Sequence, residues 1–412
     1  MQGQAKIHII GAGPAGASAA LFLAKHGIAS VIIDKASFPR DKVCGDACSG
    51  KVAWVLKKLD IPNWQEFISK NDSLASWGVK FYGTKNNELR VPFKLNYKAE
   101  AELAPGFIAK RIDFDNYLIS LVKKESLIEL VENCSISYFR REGKTVFFGN
   151  DKLNKHFQSD MVLAADGAYS YAAKCLMSGC PLEENNALGL RAYYKGVKGL
   201  DKDGFIELHF LEELLPGYFW IFPLANGEAN VGLGMKSDLV KKKRINLKEL
   251  FEKVVKEHPT FKDRFEYAEL IDPMKLHGLP LGGHKNISDD NILLLGDAAA
   301  LIDPFTGEGI GNAMISGMLA AELLIDLVPD RNFSKEALVA YDKLVYRRLA
   351  NELKLSKKMQ DLTSYPWLFN FIVNKARGNK ELRETISCMF ENVDLRKKLS
   401  NPLFYLRVLF GS

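Results

Sequence analysis

The chain holds 412 residues, 47% of them hydrophobic and 26% charged, with a net charge of +6. Such proportions exclude wholesale disorder, collagen and the membrane-spanning classes, and the charge is too mild to imply a nucleic-acid partner. The basic excess is local, because residues 331–412 carry 16 Lys+Arg against 8 Asp+Glu, and the length predicts two to three domains, each with its own core.

In chain order, residues 5–10 read as a short buried strand, GAGPAG follows, and an apolar helix covers Ala17–His26 until Gly27 closes it. Between Lys6 and Lys25 there is no Asp, Glu, Lys or Arg, as in a signal peptide or anchor. Gly11, Gly13, Pro14 and Gly16 would break an apolar helix there, so strand–turn–helix is the better reading. No other segment reads as a membrane span. Residues 29–33 form a second strand ending at Asp34, which makes a β–α–β unit with parallel strands and a right-handed crossover. After the loop FPRDKVCGD come a helix near Gly50–Leu59, two antiparallel strands within 77–93, and the helix Asp113–Lys124 behind Arg111. Residues 128–149 and 157–165 read as strands, the second ending in Asp166-Gly167. Residues 188–235 alternate as an antiparallel sheet does, with Asn226-Gly227 as a hairpin turn. The buried strand 291–295 leads into Gly296-Asp297, a helix follows near 310–327, and 335–412 is mostly helical. Six cysteines are too few for a disulfide framework, and Cys44/Cys48 and Cys175/Cys180 lack common zinc spacing. They read as reduced thiols of a cytoplasmic protein without a metal site.

This order predicts a mixed α/β and α+β chain. A discontinuous dinucleotide-binding domain takes residues 1–70, 104–180 and 285–335. An antiparallel-sheet substrate domain takes 71–103 and 181–284, and a helical region takes 336–412.

Gly11-Ala-Gly13-Pro14-Ala15-Gly16 follows a strand and opens a helix, and Asp34 ends the next strand. Gly11 permits the tight turn, Gly13 lets a pyrophosphate approach the backbone, and Gly16 lets helix and strand pack closely. The helix N-terminus offers unpaired N–H groups to phosphates, and Asp34 can accept from ribose hydroxyls. The motif does not separate FAD from NAD. Later segments favour FAD: Asp297, after Gly296, ends a buried strand where a ribityl chain would lie. The glycine-rich run 303–311, with Pro304, Gly307, Gly309 and Ile310, aims a helix dipole at a reduced flavin's negative end. The plainer reading makes Asp297 an N-cap and gives the glycines to packing.

With these residues in view, the chain resembles FAD-dependent oxidoreductases of the para-hydroxybenzoate hydroxylase fold, across about residues 5–330. GAGPAG with Asp34, ADG at 165–167, LLLGDAA at 293–299, DPFTGEGIGNA at 303–313 and RIDFDNYL at 111–118 carry the resemblance. It implies a Rossmann-like FAD-binding domain of the glutathione reductase type. It further implies flavin contacts by Arg111 and Asp297, and a role for Asp166-Gly167 toward FAD or NAD(P)H. FPRDKVCGDA at 38–47 and PGYFWIFP at 216–223 look like the geranylgeranyl reductase branch. That branch carries Pro-x-x-Tyr-x-Trp-x-Phe-Pro; Tyr218, Trp220, Phe222 and Pro223 match, but Pro216 stands one residue too close to the tyrosine. The Trp-x-Trp-x-Ile-Pro pattern of flavin halogenases is absent from the sequence. The branch places Cys44 near the flavin, and Lys35, Arg40 and Gly45 fall among its cofactor contacts.

Strand geometry makes Tyr218, Trp220 and Phe222 share one face and Phe219 and Ile221 the other. A row of three rings suits either a core stripe or the wall of an apolar slot. The resemblance implies the second, with reduction of carbon–carbon double bonds of an isoprenoid or other long apolar substrate by hydride from reduced flavin N5. A proton must also arrive, from Cys44, Tyr218 or an ordered water; Trp220 joins them as a catalytic candidate. NAD(P)H or reduced ferredoxin would serve as transient electron donor. Two rival readings use the same cofactor: a monooxygenase of an aromatic or apolar substrate, and a flavin-bearing electron-transfer or binding protein. The aromatic, basic segments 366–373 and 402–410 suit peripheral contact with the inner face of a membrane, or else a small helical domain with solvated basic faces. The sequence leaves the oligomeric state open.

Overall fold

In the computed structural model, the described residues are 5–61, 64–70, 73–94, 96–100, 102–178, 186–284 and 286–379. Cys180 and the segment 402–410 lie outside them.

The run IHII is buried at every position and forms the strand Ile7–Ile10 at the centre of a six-stranded sheet. A run buried on both faces suits a parallel sheet covered by helices. The sheet order is 288–289, 292–294, 161–164, 7–10, 30–33, 128–131. All neighbours are parallel except the first pair. The carboxyl ends of its strands therefore converge on one edge, where Gly11, Asp34, Ala165 and Leu295 emerge. Ligands bind at that edge in open parallel sheets.

The first helix, Pro14–Lys25, starts earlier than its apolar run, because proline fits the first helical turn. Its small residues let it lie close against the helix Ile310–Leu327: a Cβ on Gly317 would stand 2.3 Å from the Ala15 carbonyl oxygen, and Ser18 Oγ donates to the Met314 carbonyl at 2.9 Å. Ile310–Leu327 is the one described helix long and apolar enough to cross a membrane, and 72% of it is buried in this fold. Its apolarity serves the core.

A second sheet of seven strands takes 78–82 and 88–92 from one part of the chain and 186–280 from another. It is not antiparallel throughout, as the alternation predicts. Ile206–His209 runs parallel to Gly78–Tyr82, because this pair joins two separate chain segments and no short turn dictates its direction. The strand reading of 128–149 also divides. Ile128–Val131 edges the first sheet, whereas Tyr138–Glu142 and Thr145–Asn150 pair with Lys155–Ser159 in a small antiparallel sheet of their own.

One face of the seven-stranded sheet, with Phe219, Ile221, Val231 and Leu233, packs under the helix Leu247–Glu257 through Phe251 and Val254. The opposite face, with Tyr218, Trp220 and Phe222, looks toward the six-stranded sheet's carboxyl edge. On this same face, the last described helix, Pro366–Gly378, buries Phe369 against Phe210, with ring centroids 4.6 Å apart.

His8 sits in the central strand, its ring edge-on to Phe148 and its Nδ1 2.9 Å from Ser159 Oγ. Burial, helped by the charge of Lys6, lowers its pKa from 6.5 to about 4. A depressed histidine favours the unfolded chain once protonated. Its contribution to stability is complete above about pH 6.5, drains as pH falls toward about 4, and changes no further below. That span is worth about 3 kcal/mol. We expect His8→Gln to flatten this acid limb in urea-unfolding curves taken from about pH 7 to pH 4.5; an unchanged limb would mean His8 is protonated in the native state.

Candidate functional site

A cavity of about 640 Å³ lies between the carboxyl edge of the first sheet and the aromatic face of the second. Its glycine end is built by close approach. Gly11 has φ +101°, and a Cβ there would meet the Ala165 carbonyl oxygen at 2.3 Å. A Cβ on Gly16 would stand 2.0 Å from the Gly11 carbonyl oxygen, so Gly16 works in packing and does not line the cavity. Gly13 differs: a Cβ there would meet only Arg40 Nη2, at 3.6 Å, over open space beside Pro14 and Ala15. The helix it precedes has no side-chain cap and no acidic residue in its first turn. Uncapped N–H groups facing a gap kept by glycine are what a pyrophosphate requires.

Asp34 Oδ2 accepts from the Ala12 N–H at 2.7 Å and Oδ1 from Ala36 at 2.9 Å. The carboxylate ties the glycine loop to the second strand, and its remaining lone pairs fit ribose hydroxyls. Lys35 lies beside it on the wall. Arg111 and Arg40, both on the cavity, share one fully buried partner. Asp115 accepts from Arg111 Nε and Nη2 at 2.6 Å each and from Arg40 Nη1 at 3.0 Å. Lys42 Nζ bridges to Asp297 Oδ2 at 2.9 Å. Burial alone would raise the Asp297 carboxyl, but Lys42, with Arg111 and His277, holds it below the usual carboxylate range. Asp166 Oδ2 accepts from the Tyr171 and Ala172 N–H groups and caps their helix, while its buried Oδ1 has no protein partner. Gly167 follows on the wall. The gap at Gly13, the uncapped helix and the orphaned Asp166 oxygen fit a bound dinucleotide.

The glycine-rich loop before Ile310–Leu327 is set by Asp303, whose Oδ1 accepts from the N–H groups of Phe305 and Thr306. Gly307, Gly309 and Ile310 reach the cavity. Pro304 does not; its carbonyl accepts from Gln360 Nε2 at 2.8 Å and anchors the long helix Lys335–Thr363. Gly296 is also off the wall, packed against Ala313.

Tyr218, Trp220 and Phe222 line the far side, with successive ring centroids 6.2 Å apart. Pro223 ends this strand opposite Ala229 and does not line the cavity. Tyr218 Oη donates to the Thr306 carbonyl at 3.0 Å, joining the aromatic strand to the glycine-rich loop. Cys44 and Gly45 stand between them, Gly45 directly against the Phe222 ring. Burial pushes the Cys44 thiol up, with Arg111 opposing, and pushes the Tyr218 hydroxyl up as well.

Sequence reasoning missed several residues here. Asp115 anchors both arginines, one turn beyond Arg111. Arg191 and Tyr193 line or back the cavity from the strand Asn186–Lys195, and Asn230 from the strand Glu228–Lys236. A signal for Asn230 exists in EANVGLGMK: Asn230, Gly232 and Gly234 share one face, and Val231, Leu233 and Met235 the other. The small, polar face is the one turned toward the rings.

The FAD-binding domain family matches residues 4–342. A digeranylgeranylglycerophospholipid reductase of Thermoplasma volcanium is 29% identical over 345 residues, covering 82% of this chain and 83% of its own. A menaquinone reductase of Mycobacterium tuberculosis is 28% identical over 326 residues, covering 78% and 76%. Among solved structures, a geranylgeranyl bacteriochlorophyll reductase-like protein of Thermoplasma acidophilum superimposes with a TM-score of 0.77 at 22% identity, covering 96% of this chain and 99% of that one. A flavin-dependent brominase also reaches 0.77, at 20% identity, covering 94% and 93%. These structural likenesses establish a shared fold.

The glycines separate binding from folding. We expect Gly13→Val to fold with an unchanged thermal midpoint yet lose flavin affinity by about a hundredfold, since only the ligand needs that space. Gly11→Ala, forced onto backbone, should lose both stability and flavin. Absorbance of protein loaded with FAD, beside thermal unfolding, checks the pair; a Gly13→Val variant that stays yellow would remove the pyrophosphate assignment.

Proposed function

Because the chain belongs to the FAD-binding domain family, we propose that this FAD-dependent oxidoreductase reduces carbon–carbon double bonds in a polyprenyl chain. The observation that carries the reading is the placement of the three-ring face on the same cavity as the glycine loop. A long apolar chain gains by leaving water for such a wall. The names of the relatives, reductases of digeranylgeranylglycerophospholipid and of menaquinone, point to the same chemistry.

When bound, FAD supplies the hydride, and the protein does the rest. The N-terminal helix and Gly13 would hold the pyrophosphate, and Asp34 with Lys35 would hold the adenosine ribose. Asp297, paired with Lys42, would hold the ribityl chain. Arg111, fixed by Asp115, places a positive charge beside Cys44. Tyr218, Trp220 and Phe222 hold the apolar chain and exclude water from the reacting bond. Electrons arrive from NAD(P)H or reduced ferredoxin in a transient encounter, since a single dinucleotide motif serves FAD.

Anaerobically reduced protein should be reoxidised by a polyprenyl lipid, with the product gaining two hydrogens per double bond reduced. Reoxidation that needs oxygen and leaves oxygen in the product would establish the monooxygenase reading instead. Trp220→Leu should raise the KM for the lipid about tenfold while the flavin spectrum persists.

The tail reading now divides by residue. Phe369 and Val373 are core, while Tyr365, Trp367 and Phe371 are exposed near Lys375 and Arg377. Rings beside basic residues suit the headgroup layer of an anionic membrane. Trp367→Ser with Phe371→Ser should reduce sedimentation with anionic liposomes severalfold and leave folding intact; equal sedimentation would end that idea.

A further inference from the structure

The reaction needs an acid, and the groups on the aromatic side are poor ones. Burial holds the Tyr218 hydroxyl and the Cys44 thiol above their ordinary values. Asp46, two residues beyond Cys44, is fully buried in the cavity wall. Its Oδ2 accepts twice, from Tyr193 Oη at 2.6 Å and from Asn230 Nδ2 at 2.7 Å. Its Oδ1 is buried with no protein partner. The amide orientation of Asn230 is fixed by chemistry: indole nitrogen only donates, and Trp220 Nε1 donates to Asn230 Oδ1 at 2.9 Å. Asn230 must then present its NH₂ to Asp46 and to the Cys44 carbonyl, 2.8 Å away. With Oδ2 filled by two donors, a proton on this carboxyl belongs on Oδ1.

We propose that Asp46 is the acid of the reaction, holding a proton on Oδ1 and passing it to a carbon of the apolar substrate. The inference rests on the reductase reading. The O–H bond breaks and leaves a carboxylate; the double bond's π pair forms the new C–H bond; the neighbouring carbon takes the hydride that reduced flavin supplies. Solvent returns the proton between turnovers. Tyr193 and Asn230 are positioning residues, and through Asn230 the acid's orientation is coupled to Trp220.

The surroundings agree. Burial pushes the Asp46 carboxyl up to about 6, against the hydrogen bonds of Tyr193 and Asn230 and the charges of Arg191 and Arg111. Cys44 in the same loop and Cys48 on the short strand Ala47–Cys48 are its titratable neighbours along the chain. An acid with a value near working pH is well matched for proton transfer, and an apolar chain entering the cavity shifts it further the same way.

The test uses the flavin-loaded protein and Asp46→Asn. A carboxyl raised above its ordinary 3.8 contributes stability that is full below 3.8 and is lost as pH rises through about 6. Asparagine has no such loss. The thermal midpoint of the variant minus wild type should therefore climb by a few degrees between about pH 4 and pH 6.5 and level off above. Turnover of a polyprenyl lipid should fall by about 10²–10⁴-fold with flavin and lipid binding retained. A midpoint difference flat across that window, or turnover within about threefold of wild type, overturns the proposal. Wild-type protein inert toward every polyprenyl lipid would instead overturn the reductase reading, with the thermal result still deciding whether Asp46 holds its proton.

Discussion

Each ring of the aromatic face is seated on a glycine, and the cavity depends on that match. A Cβ on Gly232 would lie 2.2 Å from the Trp220 indole, one on Gly45 2.8 Å from the Phe222 ring, and one on Gly307 2.6 Å from Tyr218 Oη. The three glycines come from three separate parts of the chain: the neighbouring strand, the Cys44 loop and the loop before Ile310–Leu327. Large rings can therefore lie against the backbone of a neighbouring strand and of two cavity loops at once. The aromatic strand then becomes a joint between its own sheet and the two loops, and leaves open the space that a cofactor and a chain-like substrate would share.

Ionic contacts hold the Cys44 loop over that joint. Asp41, in the same loop, accepts from Arg191 Nη2 at 2.7 Å and from Lys275 Nζ at 2.8 Å, both on strands of the second sheet. At the other end, buried Lys51 of the helix Gly50–Lys58 pairs with Glu352 and donates to Asn312 at 2.8 Å. The loop is thus pinned to the second sheet on one side, and the helix after it to the long C-terminal helices on the other. Such pairs contribute more to geometry than to net stability, because burying charge costs about what the pairing returns.

Much of this is legible in the sequence, and the reason is local. GAGPAG, Asp34 and the alternation of Tyr218, Trp220 and Phe222 act through backbone conformation and a two-residue period, which a sequence displays directly. Pairings between distant segments leave weaker marks. The parallel contact of Ile206–His209 with Gly78–Tyr82 spans more than a hundred residues and follows no turn rule. Asp115 looks like any helix-surface acid until Arg111 and Arg40 are seen to converge on it. Pro304 and Pro223 sit inside matching motifs, yet one anchors a helix and the other ends a strand.

The polar chain from Trp220 through Asn230 to Asp46 and Tyr193 has a cost that the fold itself does not require. An apolar side chain in place of Asp46 would spare the desolvation of a carboxyl, and all of the surrounding partners are uncharged except the two arginines. A buried acid whose one oxygen is doubly held and whose other has no protein partner stores an unmet hydrogen-bonding capacity inside the cavity wall. Structural polar networks close on themselves because an open end is expensive. This one is open at a single atom, at the wall where an apolar substrate would bring its double bond, so the expense falls where chemistry can use it.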